Sequence, residues 1–273
     1  MKTILVATDF SPSAKNAANY AADMALTIKA GILLLHVYQI PVSYSEIPVA
    51  LDVEDMMEEI KEGMNEQKEH LIRKTGGRLN IETDVRRGIF FYDEFKIACE
   101  QVKPYAVIMG SQGTTASERL FFGGHTVHAM KHLRWPLITV PFGATFSSIK
   151  KIGFACDFDK VIDTTPIDEI KILVNDFNAE LHILNIVKNE RLTPEAVYES
   201  ALLQEMLSAL KPGYHLITND NTDEGIMNFV EINHIDLLIV LPKRHTLLGK
   251  LIHRSHTKQF VLHSHVPVMA LHQ

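Results

Sequence analysis

The sequence predicts an α/β protein built as two tandem units, each an open, doubly wound parallel sheet with helices on both faces. Three observations lead there. Short, β-rich apolar runs alternate with longer helical periods along the whole chain, the pattern of parallel strands joined by right-handed crossovers. The pattern occurs twice: residues 107–140 align without a gap on 238–271, placing Pro136 on Pro267 and Thr126 on Thr257. The opening MKTILVATDFS is likewise echoed by KKIGFACDFDK at 150–160, with Asp9 matching Asp157. Finally, 273 residues with 46% hydrophobic content suffice for one large core or two smaller ones.

In the first copy, ILVAT, ILLLHVY, LNIETDV, YAVIMG and LITV read as strands, because near-continuous apolar runs suit a sheet covered on both sides. Ser11 followed by Pro12 supplies an N-cap and a first-turn proline, after which Ala14, Ala17, Ala18, Ala21, Met24, Ala25 and Ile28 keep a helical period. Residues 52–75, 90–103 and 125–134 complete the helices of this copy. The second copy offers IGFAC, LHILNIV, YHLITN, LLIVL and VPVMAL as strands, with helices near 163–178, 194–210, 223–234 and 254–264. It lacks a counterpart of the Pro-bearing stretch QIPVSYSEIPVALD. The boundary falls near FGATFSS, 142–148, giving domains at 1–144 and 145–273.

Composition narrows the function. A net charge of −6 supplies no basic field for nucleic acid or anionic lipid. Asp9 interrupts the first apolar run before a secretory core can form, and no run approaches the ~20 apolar residues of a spanning helix. Cys99 and Cys156 are too few for a disulfide framework, so a reducing cytoplasm is expected, with both read as small buried apolar residues.

Ligands of such sheets bind beyond the carboxyl ends of the strands. There the first copy carries MGSQGTTASERLFFGGHT, 109–126: Met109 ends the fourth strand, Gly110 and Gly113 lie at the sheet edge, and Gly123 and Gly124 precede the last helix. Bare backbone lets N–H groups close on an anion, and a helix amino terminus adds unpaired donors and a favourable dipole. Tight turns need glycines as well, so the loop alone does not decide between a ligand and a turn.

The spacing G-x2-G-x9-G, the opening ILVATDFS with Asp9, the strand ending His36-Val37, and Pro136 before the last strand together resemble the universal stress protein family. The resemblance covers the first copy from end to end, and the second by pattern and Asp157, so the chain is similar to a tandem member. The resemblance implies a Rossmann-like sheet of the adenine nucleotide alpha hydrolase-like kind. It also implies ATP, with magnesium on its phosphates, at Ala7, Thr8, Asp9, Val37, Met109, Gly110, Gly113, Gly123, Gly124, His125 and Thr126.

Two departures qualify that implication. The family's loop usually ends Gly-Ser where this chain has Gly123-Gly124, which removes one hydroxyl donor, worth ~0.5–1.5 kcal/mol net. In the second copy Leu241, Arg244 and Arg254 replace Gly110, Gly113 and Gly123, and Pro242 lacks an N–H, so that site reads as degenerate.

Other nucleotide chemistries fail on the same residues. Gly249-Lys250 is followed by Leu251, so no Walker loop is completed. ATDFSPS stands where a dinucleotide fingerprint, or the S-G-G-x-D-S loop of related adenylating enzymes, would lie, and no His-x-Gly-His element occurs.

Asp9 has two readings, a ribose or magnesium ligand and a cap shared with Ser11; at Asp157 the cap is preferred. His125, His128 and His132, and His253, His256, His263 and His265, recur at helical spacing; a solvated or interface face is favoured over a metal site. Tyr44, Met56 and Met57 either cover a ligand or pack.

The expected function is a cytoplasmic stress-response protein that binds ATP in its first domain, at most a slow ATPase because no base is evident beyond His125 or Asp9. Its second domain is structural or regulatory. The alternative is an interaction protein that holds no nucleotide. The last strands of the two copies, apolar and hazardous if left as open edges, are expected to pair antiparallel, 137–141 against 266–270, as an internal pseudo-dimer. Further homo-oligomers remain open.

Overall fold

The computed structural model describes residues 1–40, 53–111, 124–187, 192–242 and 264–272. Among the described residues ten strands form one sheet: β1 (Thr3–Ala7), β2 (Gly31–Tyr38), β3 (Ile81–Arg87), β4 (Ala106–Gly110), β5 (Leu137–Val140), β6 (Lys151–Ala155), β7 (Glu180–Val187), β8 (Gly213–Thr218), β9 (Leu237–Val240) and β10 (Val268–Ala270). Their order is β3-β2-β1-β4-β5-β10-β9-β6-β7-β8. All pairs are parallel except β5 with β10, which run antiparallel with Leu137, Ile138 and Thr139 opposite Ala270, Met269 and Val268. The two expected sheets are therefore continuous, meeting at the strands expected to pair.

Helices cover both faces: α1 (Pro12–Ile28), α2 (Val53–Thr75), α3 (Phe91–Val102), α4 (Gly124–His132), α5 (Val161–Thr164), α6 (Ile167–Phe177), α7 (Pro194–Met206) and α8 (Thr222–Ile232). Strand alternation divides the core into two layers. Ile4 and Val6 of β1 join Ala17, Ala21 and Met24 of α1 and Ile152 and Phe154 of β6 in one; Leu5 and Ala7 join Phe95 and Cys99 of α3, Met130 of α4 and Phe229 of α8 in the other. The buried alanines of α1 have no bulk to hold the helix off the sheet. Ser11 caps it as expected, its Oγ accepting from the Ala14 N–H at 3.1 Å, and Lys29 ends it in the left-handed region.

One helix departs from expectation. The run read as 163–178 is broken into α5 and α6, because Pro166 disfavours helical geometry at Thr165, which sits at φ −103°, ψ 117°. The helix read over 194–210 ends at Met206 and closes with a 3-10 turn, Ser208–Leu210. The helix expected near 254–264 and Tyr44 lie outside the described residues. Met56 and Met57 pack, partly buried, against the first core layer.

The segment after β5 is tied to α1. The Asn16 side-chain amide donates to the carbonyls of Pro141 (3.2 Å) and Ala144 (3.1 Å), and Tyr20 meets Phe146 edge-on. Lys2, just before β1, reaches across to Asp176 on α6, with its Nζ over the Tyr105 ring.

Candidate functional site

The first half gathers the carboxyl ends of β1, β2 and β4 and the amino ends of α1 and α4 at one sheet edge. The chain leaves β1 at Ala7 and turns sharply. The Thr8 N–H donates to the Leu35 carbonyl (2.9 Å), and its hydroxyl donates to Gln67 Oε1 of α2 (2.8 Å) while accepting the Phe10 N–H (3.1 Å). His36, just past Leu35 in β2, donates from Nδ1 to the Thr8 carbonyl at 2.8 Å, which places a proton on Nδ1. Its ring stacks on Phe10 at 4.7 Å. Phe10 holds φ 63°, a conformation costly for a side-chain-bearing residue, and its ring rests on Gly63 of α2, where a Cβ would approach to 3.2 Å. This turn is fixed from three sides, by β2, by α2 and by α1.

Asp9 is exposed, with Oδ1 accepting the Ser11 N–H at 3.0 Å. Its capping reading is thus a feature of the fold, and the carboxylate still faces solvent. Val37 is half-buried against the second core layer, and Met109 is buried in it.

Gly110 is where the remaining elements meet. A Cβ here would lie 2.9 Å from the Ser13 carbonyl of α1 and closer still to Ser13 Oγ, so glycine lets the first turn of α1 settle directly on the end of β4. From the other side, the buried Thr126 of α4 donates through Oγ1 to the Gly110 carbonyl at 3.2 Å. Gly124 opens α4. Gly113 and Gly123 lie outside the described residues. His125 is exposed and leans on Phe91 of α3 (4.6 Å), toward that helix. His128 packs against Tyr92 and His132, both at 4.5 Å. Of the second histidine cluster, His253, His256 and His263 lie outside the described residues, and His265 is exposed.

Two residues here carry no sequence signal of their role, and a third, His36, is read in the sequence only as a strand end. Ser13 Oγ and Gln67 Nε2 are buried without a hydrogen-bond partner, and His36 holds the turn. Gln67 gave no signal, since its partner is 59 residues away. His36 did: its counterpart in the second half is Asn185, another side chain with a nitrogen to donate, and Asn185 Nδ2 donates to the Cys156 carbonyl at 2.8 Å. The backbone of the turn is repeated there. The Cys156 N–H reaches the Leu184 carbonyl (3.0 Å), the Phe158 N–H meets Cys156 Sγ (3.5 Å), and Phe158 holds φ 53°.

The edge around that second turn is different. Leu241 and Pro242 stand at the end of β9, and the helix following the turn is the four-residue α5. Arg244 and Arg254 lie outside the described residues.

A separate cleft of about 290 Å³ lies between α1, α2 and the segment after β5, but its polar groups are paired with one another, His70 with Asn19 at 2.9 Å and Lys74 with Asp23 at 2.8 Å. Among the described residues, no group of three or more His, Cys, Asp or Glu is placed to hold a metal ion. No helix among them is long and apolar enough to cross a membrane.

Comparison with known proteins agrees with this fold. Universal stress protein Slr1230 of Synechocystis is 24% identical over 294 residues, covering 98% of this chain and 99% of that protein. A universal stress protein from Archaeoglobus fulgidus has the same overall fold, with a TM-score of 0.75 at 18% identity, covering 99% of this chain and 98% of that one. A functionally unknown protein from Pseudomonas aeruginosa follows with a TM-score of 0.62 at 12% identity, covering 99% and 92%. The sequence profile of the universal stress protein family matches residues 1–141, more than half the chain, and the chain belongs to that family.

Proposed function

We propose that the first half binds an adenine nucleotide, ATP with its magnesium, at the carboxyl edge of β1 and β4, and that 1–144 and 145–273 act as two domains of which the second keeps the fold without the site. One observation carries this reading: two helix amino ends converge on Gly110, with Ser13 of α1 resting on its α carbon and Thr126 of α4 bonded to its carbonyl. Both dipoles favour negative charge at that point. The buried Ser13 hydroxyl, without a hydrogen-bond partner, fits a phosphate oxygen, and the exposed Asp9 carboxylate fits a ribose hydroxyl or magnesium. Magnesium, when bound, would neutralise phosphate charge. Binding is the activity. Among the described residues the candidates to orient a water at this edge are Asp9, engaged in the cap, and His125, turned against Phe91, in keeping with hydrolysis that is slow at most.

In this reading the protein works in the cytoplasm as a stress-response nucleotide binder. Its halves stand to one another as the subunits of a dimer, leaving association of whole chains to other faces.

A second reading has its own support. Thr126 spends its hydroxyl on Gly110 and Asp9 spends an oxygen on the cap, as expected of an interaction protein that holds no nucleotide. Calorimetric titration with ATP, with and without magnesium, separates the two. One equivalent per chain supports the nucleotide reading, and no heat of binding with no copurifying nucleotide supports the other.

A further inference from the structure

Far from that edge, on β7 and the outer strand β8, two imidazoles approach each other nitrogen to nitrogen. His182 Nδ1 lies 3.1 Å from His215 Nε2. In the parallel register His182 is opposite Gly213 and Leu184 opposite His215, so the histidines sit diagonally on one face, beneath Phe229 of α8. We propose that this pair is a binding site for a divalent transition-metal ion of the imidazole-preferring kind, Cu²⁺, Ni²⁺ or Zn²⁺, with the remaining coordination positions left to water or a small ligand.

Three features of the geometry carry the proposal. The first is the separation. Two nitrogens each 2.0–2.1 Å from one metal lie about 2.8–3.0 Å apart at a square-planar corner and about 3.3–3.4 Å apart in a tetrahedron, and 3.1 Å falls between.

The second is the far side of His182. Its Nε2 is buried, makes no hydrogen bond, and has Glu180 Oε2 at 3.5 Å. A proton on Nε2 is attracted by that carboxylate, whereas a lone pair there would be repelled. Glu180 therefore selects the tautomer whose lone pair is on Nδ1, facing His215. A carboxylate behind a histidine in this way orients a metal ligand and raises its basicity.

The third is the opening between the rings. A Cβ on Gly213 would lie 3.2 Å from His215 Nε2 and 3.5 Å from His182 Nδ1, so any other residue would fill the space beside both nitrogens. Both histidines are only partly buried, which leaves a path from solvent.

The test is a Cu²⁺ titration of the full chain by calorimetry and electron paramagnetic resonance. It compares wild type with His182→Gln, His215→Gln, Glu180→Gln and, as a control for the exposed helical pair, His128→Gln with His132→Gln. The tightest equivalent should show nitrogen coordination and disappear in His182→Gln and in His215→Gln. It should weaken ~10-fold in Glu180→Gln and persist in the control. His215 is on the outer strand and Glu180 is largely exposed, so these two variants decide the matter even should His182→Gln not fold. A tightest equivalent unchanged in His215→Gln, or lost in the helical control, overturns the proposal.

Discussion

Ile138 faces Met269 across the antiparallel junction of β5 and β10, and the two are the same position of the repeated unit, 131 residues apart (269 against 138), the offset that aligns 107–140 on 238–271. A residue facing its own counterpart marks a two-fold relation: Thr139 meets Val268 and Leu137 meets Ala270, each pair the image of the other. Both side chains are buried, at 0% and 2% exposure, so Ile138→Ala and Met269→Ala should each cost ~2–4 kcal/mol. Because they are direct neighbours, the double variant should depart from additivity by at least ~0.5 kcal/mol. Urea unfolding of the four proteins measures this, and strict additivity would argue against the contact.

The turns after β1 and β6 give a second prediction. His36 and Asn185 perform one task in two copies, donating to the carbonyls of Thr8 and Cys156. His36→Asn should therefore keep the bond and lose mainly the stacking on Phe10, at a cost of ~1 kcal/mol or less. His36→Leu has no donor and leaves the Thr8 carbonyl short of a partner, at ~1–3 kcal/mol. If the two variants unfold at the same denaturant concentration, the hydrogen bond is not what holds the turn.

These relations show what the sequence made legible. Apolar runs and their repetition suffice for the strands of each half and for the joining of LITV to VPVMAL, because long apolar runs and apolar edges both have to be covered, whereas the order of the strands within each half is seen only in the structure. The break before Ile167 has a signal in the sequence, Pro166, which a single helix over 163–178 leaves out of account. Less legible were contacts between residues distant in the chain. Gly110 was read for what it offers a ligand, whereas the neighbour that requires glycine is Ser13, nearly a hundred residues earlier. Gln67 looked like one more polar residue on a charged helix, yet it is 4% exposed and bonded to Thr8.

Cys99 provides a test by pH. Burial on α3 pushes its thiol up to about 12, with smaller opposing influences from Arg86 and Glu100. At about pH 8 it remains a protonated thiol and a poor nucleophile. In a Cys156→Ala background, native protein should react with iodoacetamide far more slowly than denatured protein. The sign for stability follows from linkage. The folded thiol holds its proton to higher pH than the unfolded one, so its contribution is full below the ordinary thiol range and declines as pH rises through it. Wild type should lose stability more steeply than Cys99→Ala above that range, and equal slopes would contradict a buried, proton-holding thiol.

The last prediction separates the two glycines that frame the nucleotide proposal. At Gly110 an added Cβ meets the Ser13 backbone, which cannot rotate away as a side-chain tip can, so α1 must shift. Gly110→Ala should cost ~1–3 kcal/mol in stability whatever the protein binds. Gly113 belongs to the stretch proposed from the sequence to close on phosphate, and a glycine read as part of such a loop is expected to tolerate a larger side chain. Gly113→Val should leave stability within ~0.5 kcal/mol while abolishing ATP binding. The corresponding position of the second half is Arg244, and Arg244→Gly should leave the stoichiometry at one nucleotide per chain, since Pro242 still withholds a backbone donor beside it. Calorimetry on the three variants reads every arm. Unchanged ATP affinity in Gly113→Val removes the phosphate loop from the proposed site, and two equivalents in wild type would show that the second half has kept a site of its own.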